Sequence, residues 1–154
     1  MGKLPMSGAG AARAIFAANR YMTIATADAS GRPWASPVWY AASADHHQVF
    51  WVSDPETRHS RNIAARPEVG IVVFDSQIAV GQAAAVYMEA VAQEVAGAEI
   101  DRGIDVYNRR SAEQGLPTWS RADVVAPARL RLYRATVTDL TILGPHDERL
   151  PVTM

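Results

Sequence analysis

Apolar and polar residues alternate with a period of two along much of this chain, which is the pattern of strands that bury one face. One further stretch is a continuous apolar run, as expected of a strand buried on both faces. Pro37 lies within the stretch 33–41 and predicts that this strand is at a sheet edge or a bulge, since proline cannot donate to a strand ladder. The predicted strands are residues 21–27, 33–41, 49–53, 69–74, 84–95 and 130–137.

Three other stretches have the composition and spacing of helices. Residues 9–19 are mostly good helix formers, and residues 99–111 repeat apolar side chains at helical spacing. Between them, Asp54 is a candidate N-cap with Pro55 at the first helical position, and Pro67 ends that helix. Six strands with few helices and mostly short connections predict a mainly β (α+β) fold, an antiparallel barrel with helices packed outside it.

The composition of the chain excludes several classes of function but does not indicate a particular one. The 154 residues are 49% hydrophobic and 20% charged, with a net charge of −1, as in an ordinary soluble domain. This charge gives no reason to expect nucleic acid or an anionic membrane as a partner. The absence of cysteine excludes disulfides and thiolate chemistry. Neither a membrane-spanning apolar run nor a signal peptide is evident, so we expect one cytoplasmic domain over residues 1–154.

The start of the second predicted helix carries the most informative chemistry. Thr57, Arg58 and His59 would place hydroxyl, guanidinium and imidazole groups beside the free backbone N–H groups of a helix N-terminus, which favours an anion. Three tryptophans flank this segment in the sequence and indicate a ligand with a phosphate at one end and a flat ring at the other. They are Trp34, Trp39 and Trp51.

The segments 31–40, 49–63 and 66–69 closely resemble the pyridoxamine-phosphate-oxidase-like family of flavoproteins, and the resemblance extends over roughly residues 10–145. It implies a six-stranded antiparallel split β-barrel with peripheral helices that binds FMN, or in some members a deazaflavin cofactor. It also implies a homodimer with the cofactor at the subunit interface. In this family the strands that correspond to residues 33–41 and 49–53, together with the start of the helix that follows them, form the binding site for the cofactor.

The resemblance also implies which residues bind the cofactor. Backbone groups of residues 36–39 would meet the polar edge of the flavin ring, and the 52–59 segment would bind the phosphate. Gln82, in a predicted loop, would contact the ring. His59 stands where many members have lysine, so we expect phosphate binding to strengthen as the pH falls. The implied residues are Ser36, Pro37, Val38, Trp39, Val52, Ser53, Thr57, Arg58, His59 and Gln82.

The predicted function is a flavin-dependent oxidoreductase acting on a small organic substrate, with the redox chemistry supplied by the cofactor. A true pyridoxamine-phosphate oxidase is not expected, because the strand position of its lysine holds Tyr40 or Ala41 and the C-terminal Arg-Leu-His signature is absent. Two alternatives remain open: a deazaflavin-dependent reductase, and a non-catalytic protein that binds flavin or haem. For haem, His59 is the candidate axial ligand. The histidines lack the spacing of a metal site.

Overall fold

The alternating stretches of the sequence form one antiparallel sheet in the computed structural model, which describes residues 8–154. Three α-helices and one short 3₁₀ helix pack around the sheet. None of the helices described has the length and apolar character required of a transmembrane segment. In chain order the elements are α1 (Gly8–Ala18), β1 (Tyr21–Ala27), β2 (Pro33–Trp39), β3 (Ala41–Ala42), β4 (Gln48–Ser53), α2 (Arg58–Ala65), β5 (Glu68–Phe74), β6 (Ala85–Glu94), α3 (Glu99–Glu113), the 3₁₀ helix (Arg121–Asp123), β7 (Arg131–Leu143) and β8 (Arg149–Pro151).

The sheet curls into a half-barrel whose edges are β2 and β3. The strand order is β2-β1-β5-β6-β7-β4-β3, and β8 pairs with β7 beside this path. Strand β2 contacts β4 across the opening without pairing with it. The position of β2 confirms the edge strand predicted from Pro37, and it leaves one side of the β2 backbone without a neighbouring strand.

The mainly β class is confirmed, but the described chain has eight strands where six were predicted. The stretch 33–41 divides at Tyr40, because β2 pairs with β1 whereas β3 pairs with β4 at Ala41 and Phe50. Tyr40 is buried at this crossover and its hydroxyl donates to the Phe16 carbonyl at 2.8 Å. The eighth strand comes from the tail, where β8 pairs with an extension of β7 as far as Leu143.

The second helix begins later than predicted. Thr57, not Asp54, is its N-cap: Thr57 has extended backbone angles, and its hydroxyl accepts the Ser60 N–H at 3.3 Å. Asp54 instead closes the preceding turn, in which its carboxylate accepts the Glu56 N–H at 2.8 Å. A local Asp turn therefore replaces the predicted first helical turn at Pro55.

Strand β4 separates two apolar clusters and is buried on both faces. Val49 and Trp51 face the barrel interior, whereas Phe50 faces α3 on the outside. Helix α3 approaches the sheet at Gly103, where an added Cβ would lie 2.6 Å from Cδ2 of Leu132. The same Cβ would lie 3.0 Å from Cε1 of Phe50, so this close contact fixes the distance of α3 from both β7 and β4, the strand that leads to α2.

Candidate functional site

A polar network connects the end of β4 to the start of α2. Nε2 of His59 lies 2.9 Å from the Ser53 hydroxyl and 3.3 Å from the Thr57 hydroxyl. The Thr57 hydroxyl also lies 2.9 Å from the Asp54 carbonyl. Three of the sequence-predicted residues, Ser53, Thr57 and His59, are thus brought together around one turn. The network holds that turn in a single geometry.

His59 is the most buried of the predicted phosphate ligands, with 7% of its surface exposed. Burial lowers the pKa of His59 below its ordinary value of 6.5. The imidazole is therefore mainly neutral at pH 7, and any positive charge it brings to the site develops at lower pH than an exposed histidine would require. In the structure His59 positions the Ser53 and Thr57 hydroxyls.

Arg58, by contrast, is exposed and carries an uncompensated charge. Its guanidinium carbon lies 4.3 Å from the centroid of the Trp34 ring, in a cation–π contact. Among the described residues it forms no ion pair, because the two neighbouring acids have other partners. Asp54 pairs with Arg129 at 2.5 Å, and Glu56 pairs with Arg61.

The helix N-terminus adds to this charge. The first N–H groups of a helix have no intrahelical acceptor, and they give the helix start a partial positive charge. Thr57 satisfies the Ser60 N–H, which leaves the amides of Arg58 and His59 ahead of the first intrahelical bonds. A free guanidinium, two backbone donors and a helix dipole therefore act on the same space, and this arrangement suits a phosphate.

The three tryptophans that flank this segment in sequence do not share one site. Trp51 is fully buried and stacks on Tyr133 at 5.7 Å, inside the barrel. Trp34 and Trp39 lie on opposite faces of β2, because they are five residues apart on a strand of period two. Trp39 packs against Tyr107 on α3, so of the three tryptophans it is Trp34 that lies beside Arg58.

The predicted ring-contacting residues of β2 lie along the open edge of the sheet. Ser36 and Val38 share the face that carries Trp34, while Pro37 and Trp39 are on the other face. Val52, across the opening on β4, packs with Trp39 against the α3 cluster. These residues thus line both sides of the opening between β2 and β4.

Gln82 is not brought to the other predicted residues within one chain. It is exposed in the connection between β5 and β6. That connection leaves β5 at the end of β1 that starts with Tyr21, since Thr23 pairs with Val72 and β5 continues to Phe74. Arg58 contacts Trp34, which pairs with Thr26 near the opposite end of β1.

The sequence reasoning missed the residues that anchor α2. Asn62 Nδ2 donates to the Thr26 hydroxyl at 3.0 Å, and Ser60 is 2% exposed. A usable signal was present, because the inward side of this short helix carries His59, Ser60 and Asn62 where apolar residues are usual. Buried polar residues on a helix face indicate a network of defined geometry.

No group of three or more metal-binding side chains occurs among residues 8–154. The haem alternative relied on His59 as axial ligand, and its Nε2 is already hydrogen-bonded to Ser53 and Thr57. Coordination through that atom would break both bonds inside a buried turn.

Comparison with known proteins identifies the family and the fold. The sequence profile of the pyridoxamine 5'-phosphate oxidase family matches residues 9–142, which is most of the chain. The chain belongs to this family. No curated protein matches the sequence.

Solved structures similar to this family member share its fold at low sequence identity. A haem-binding protein from Mycobacterium smegmatis has a TM-score of 0.72 and 21% identity; the match covers 98% of this chain but only 60% of that protein. The haem storage protein HutZ from Vibrio cholerae has a TM-score of 0.66 and 20% identity, with 88% and 94% covered. An F420 reductase has a TM-score of 0.56 and 16% identity, with 80% and 90% covered.

Within this pyridoxamine 5'-phosphate oxidase family member, the strand positions that would hold the oxidase lysine face away from solvent. Tyr40 and Ala41 are both buried, Tyr40 against α1 and Ala41 against the α3 cluster. Two nearby arginines are also engaged: Arg129 with Asp54, and Arg131 with the carbonyls of Ala128 and Leu130. Neither is free to bind a second phosphate without losing these contacts.

Proposed function

We propose that this protein binds FMN and works, as a homodimer, as an oxidoreductase that transfers hydride or electrons to or from a small organic molecule. The observation that carries the proposal is the uncompensated Arg58, which lies over Trp34 at the start of α2. The two acids of the adjoining turn, Asp54 and Glu56, are paired with Arg129 and Arg61, so among the described residues the Arg58 guanidinium has no carboxylate partner at the helix start. This favours an anionic ligand as the missing partner.

Different residues of the site would bind different parts of FMN. The Arg58 guanidinium would donate to the phosphate oxygens, together with the first amides of α2. Ser53 and His59 would keep the turn in place behind them through their 2.9 Å contact. The edge of β2, from Ser36 to Trp39, would present backbone N–H and C=O groups to the polar rim of the ring.

The flavin ring, when bound, would supply the electron-accepting and electron-donating chemistry. The side chains of this site contribute binding and orientation. Within the site, Thr57 and Ser53 are engaged in the turn, and His59 is mainly neutral at pH 7 because burial lowers its pKa. A general acid or base is therefore not assigned to this chain.

A homodimer is proposed from the outer face of the sheet and from the position of Gln82. Strands β1, β5 and β6 form a shallow groove of about 480 Å³, with Thr23, Gly70, Val72 and Tyr87 in its lining. A second copy on this groove would remove its apolar part from water and would meet Glu89, Asp139 and Arg149 in the same lining. It would also give Gln82 of one protomer a route to the β2 edge of its partner.

The direct test is a titration of the purified protein with FMN and with FAD, followed by quenching of flavin fluorescence. FMN should bind well, and FAD, which has no terminal phosphate monoester to place at Arg58, should bind at least tenfold more weakly. Equal affinities, or no binding of either, would overturn the proposal. The visible absorption spectrum of the protein as isolated distinguishes flavin, deazaflavin and haem, and a deazaflavin or haem spectrum would establish the corresponding alternative.

The dimer is tested separately by sedimentation velocity. Val72→Glu places a charge in the groove and should convert the dimer to a monomer with weakened FMN binding. Leu116→Glu is the control for the oligomeric state alone, since Leu116 is an exposed apolar residue beyond α3 and outside this groove. It lines a cavity with Trp39, so its FMN affinity is not part of the comparison. A Val72→Glu protein that remains dimeric would place the subunit interface elsewhere.

A further inference from the structure

A second cavity lies at the other end of β2, away from Arg58. It has a volume of about 360 Å³ and is enclosed by the end of α1, the turn between β3 and β4, and the last turns of α3. Its lining includes three arginines from two helices, Arg13, Arg109 and Arg110. Tyr40, which follows the last residue of β2, forms part of its wall.

The charges around this cavity are strongly unbalanced. Arg13 and Arg109 are exposed and form no ion pair among the described residues. The acid in the lining is Glu113, which pairs with Arg110 at 3.2 Å. Two unpaired guanidinium groups therefore remain on either side of the cavity, one on α1 and one on α3. An anion in the cavity would be attracted by both groups.

Arg110 makes one wall rigid. Its Nη2 donates to the carbonyls of Phe16, Ala17 and Asn19 at 3.0–3.2 Å, where α1 ends. The Tyr40 hydroxyl donates to one of the same carbonyls, that of Phe16, at 2.8 Å and lies 3.2 Å from that of Asn19. These bonds neutralise the negative end of the α1 dipole, which would otherwise disfavour an anion in the cavity.

The remaining lining is aromatic and aliphatic. The ring of His46 lies 4.8 Å from that of Phe16, and the Phe16 and Tyr40 rings are 6.2 Å apart. Ala17, Ala42 and Ala44 leave the cavity wide enough for a flat group. Among residues 8–154, Nδ1 of His46 is buried with no hydrogen-bond partner. Burial lowers the pKa of this histidine, so the ring acts as an uncharged wall.

We propose that this cavity is a second binding site, separate from the cofactor site, for a small planar aromatic carboxylate. The carboxylate would lie between the guanidinium groups of Arg13 and Arg109, which bind such groups through two parallel hydrogen bonds. The ring would lie against Phe16, Tyr40 and His46. A volume of about 360 Å³ accommodates one or two fused rings.

The test is a titration of the FMN-saturated protein with benzoate, followed by the backbone amide NMR signals of residues 43–47 and of Arg13. Saturation with FMN keeps the anion away from Arg58, and the Arg58→Ala variant serves instead if FMN does not bind. We expect saturable shifts in these signals with benzoate. Benzamide, which has the same ring without the charge, should bind at least about tenfold more weakly.

Variants distinguish a specific binding site from non-specific electrostatic attraction of the anion to the protein surface. Arg13→Gln and Arg109→Gln should each weaken benzoate roughly threefold, and the double variant roughly tenfold, as expected for partly exposed charge pairs. Glu113→Gln removes the acid in the lining and should strengthen binding. Arg66→Gln is the matched control and should have no effect, because the Arg66 side chain is exposed and donates to the Ala29 carbonyl, away from this cavity.

Several results would overturn the proposal. These are no saturable shifts with benzoate, equal binding of benzamide, or a double variant that binds like the native protein. Inorganic phosphate is the remaining probe. If it binds here as tightly as benzoate, the aromatic wall contributes nothing and the assignment to an aromatic carboxylate is wrong.

Discussion

Replacing Arg58 with alanine tests the cofactor site at the residue on which it depends most. The side chain is exposed and lies over Trp34 at 4.3 Å, without an ion pair among the described residues. Its removal should therefore leave the fold intact and act mainly on the ligand. We expect FMN affinity to fall while the thermal unfolding midpoint changes little.

The magnitude follows from the exposure of the group. A hydrogen bond to a charged partner contributes about 1.5–3 kcal/mol, and solvent screening of an exposed guanidinium favours the lower half of this range. The expected loss is therefore about 1.5–2 kcal/mol, or a roughly 10- to 30-fold rise in Kd. Contact with Trp34 can persist when phosphate binds, so the cation–π energy largely cancels between the free and bound states.

The assay is FMN titration followed by fluorescence quenching, with Arg66→Ala as the control. Arg66 lies just after the other end of α2 and donates to the Ala29 carbonyl. Its removal should change the Kd by no more than about twofold. Arg58→Lys should lie between, since lysine keeps the charge but loses the planar fork. If Arg58→Ala and Arg66→Ala behave alike, the phosphate does not bind at Arg58.

Three further outcomes are expected. Burial lowers the pKa of His59 below its ordinary value of 6.5, so as the pH falls below about 6.5 the unfolded state binds more protons than the folded state and the free energy of unfolding should decrease. In urea denaturation at pH 7.5 and 5.0, the His59→Gln variant should show a smaller decrease in the free energy of unfolding than the native protein. An equal decrease in the two proteins would contradict this account. Gly103→Ala should lower the free energy of unfolding by about 1–2 kcal/mol, because the clash with Leu132 and Phe50 exceeds the gain in helix propensity. The control Asp105→Ala, on the exposed side of α3, should change the free energy of unfolding by no more than about 0.5 kcal/mol. Equal stability of the two variants would show that the packing relaxes around the added methyl group. Aerobic incubation of the FMN-loaded protein with pyridoxamine phosphate should yield no more pyridoxal phosphate than free FMN does, and robust turnover would require Arg129 or Arg131 to leave their present partners.

Much of the fold could be predicted from local pattern, because alternation and capping depend on residues close in the chain. The six predicted strands all occur, and Pro37 lies in an edge strand as its missing N–H requires. The division at Tyr40 could not be predicted, because no turn residue interrupts the stretch there and the division follows from the different partner that β2 and β3 each meet. Strand pairing between distant segments is decided by the tertiary structure.

The candidate site divides in the same way. The sequence alone indicated the cluster of Ser53, Thr57, Arg58 and His59, since a strand end, a turn and a helix start are local features. Only the tertiary structure decided that Arg58 has no ion pair among the described residues, because Asp54 pairs with Arg129, 75 residues away in the chain, and Glu56 pairs with Arg61.

The tertiary structure also decided the state of His59 and the separation of the tryptophans. The sequence does not show that His59 is buried against β4, and burial is what lowers its pKa. Trp51 is close to Arg58 in the chain but lies inside the barrel, stacked on Tyr133 from a strand about eighty residues away. Local order along the chain determined which groups are present at the site, whereas their charge and accessibility depend on contacts that only the folded sheet creates.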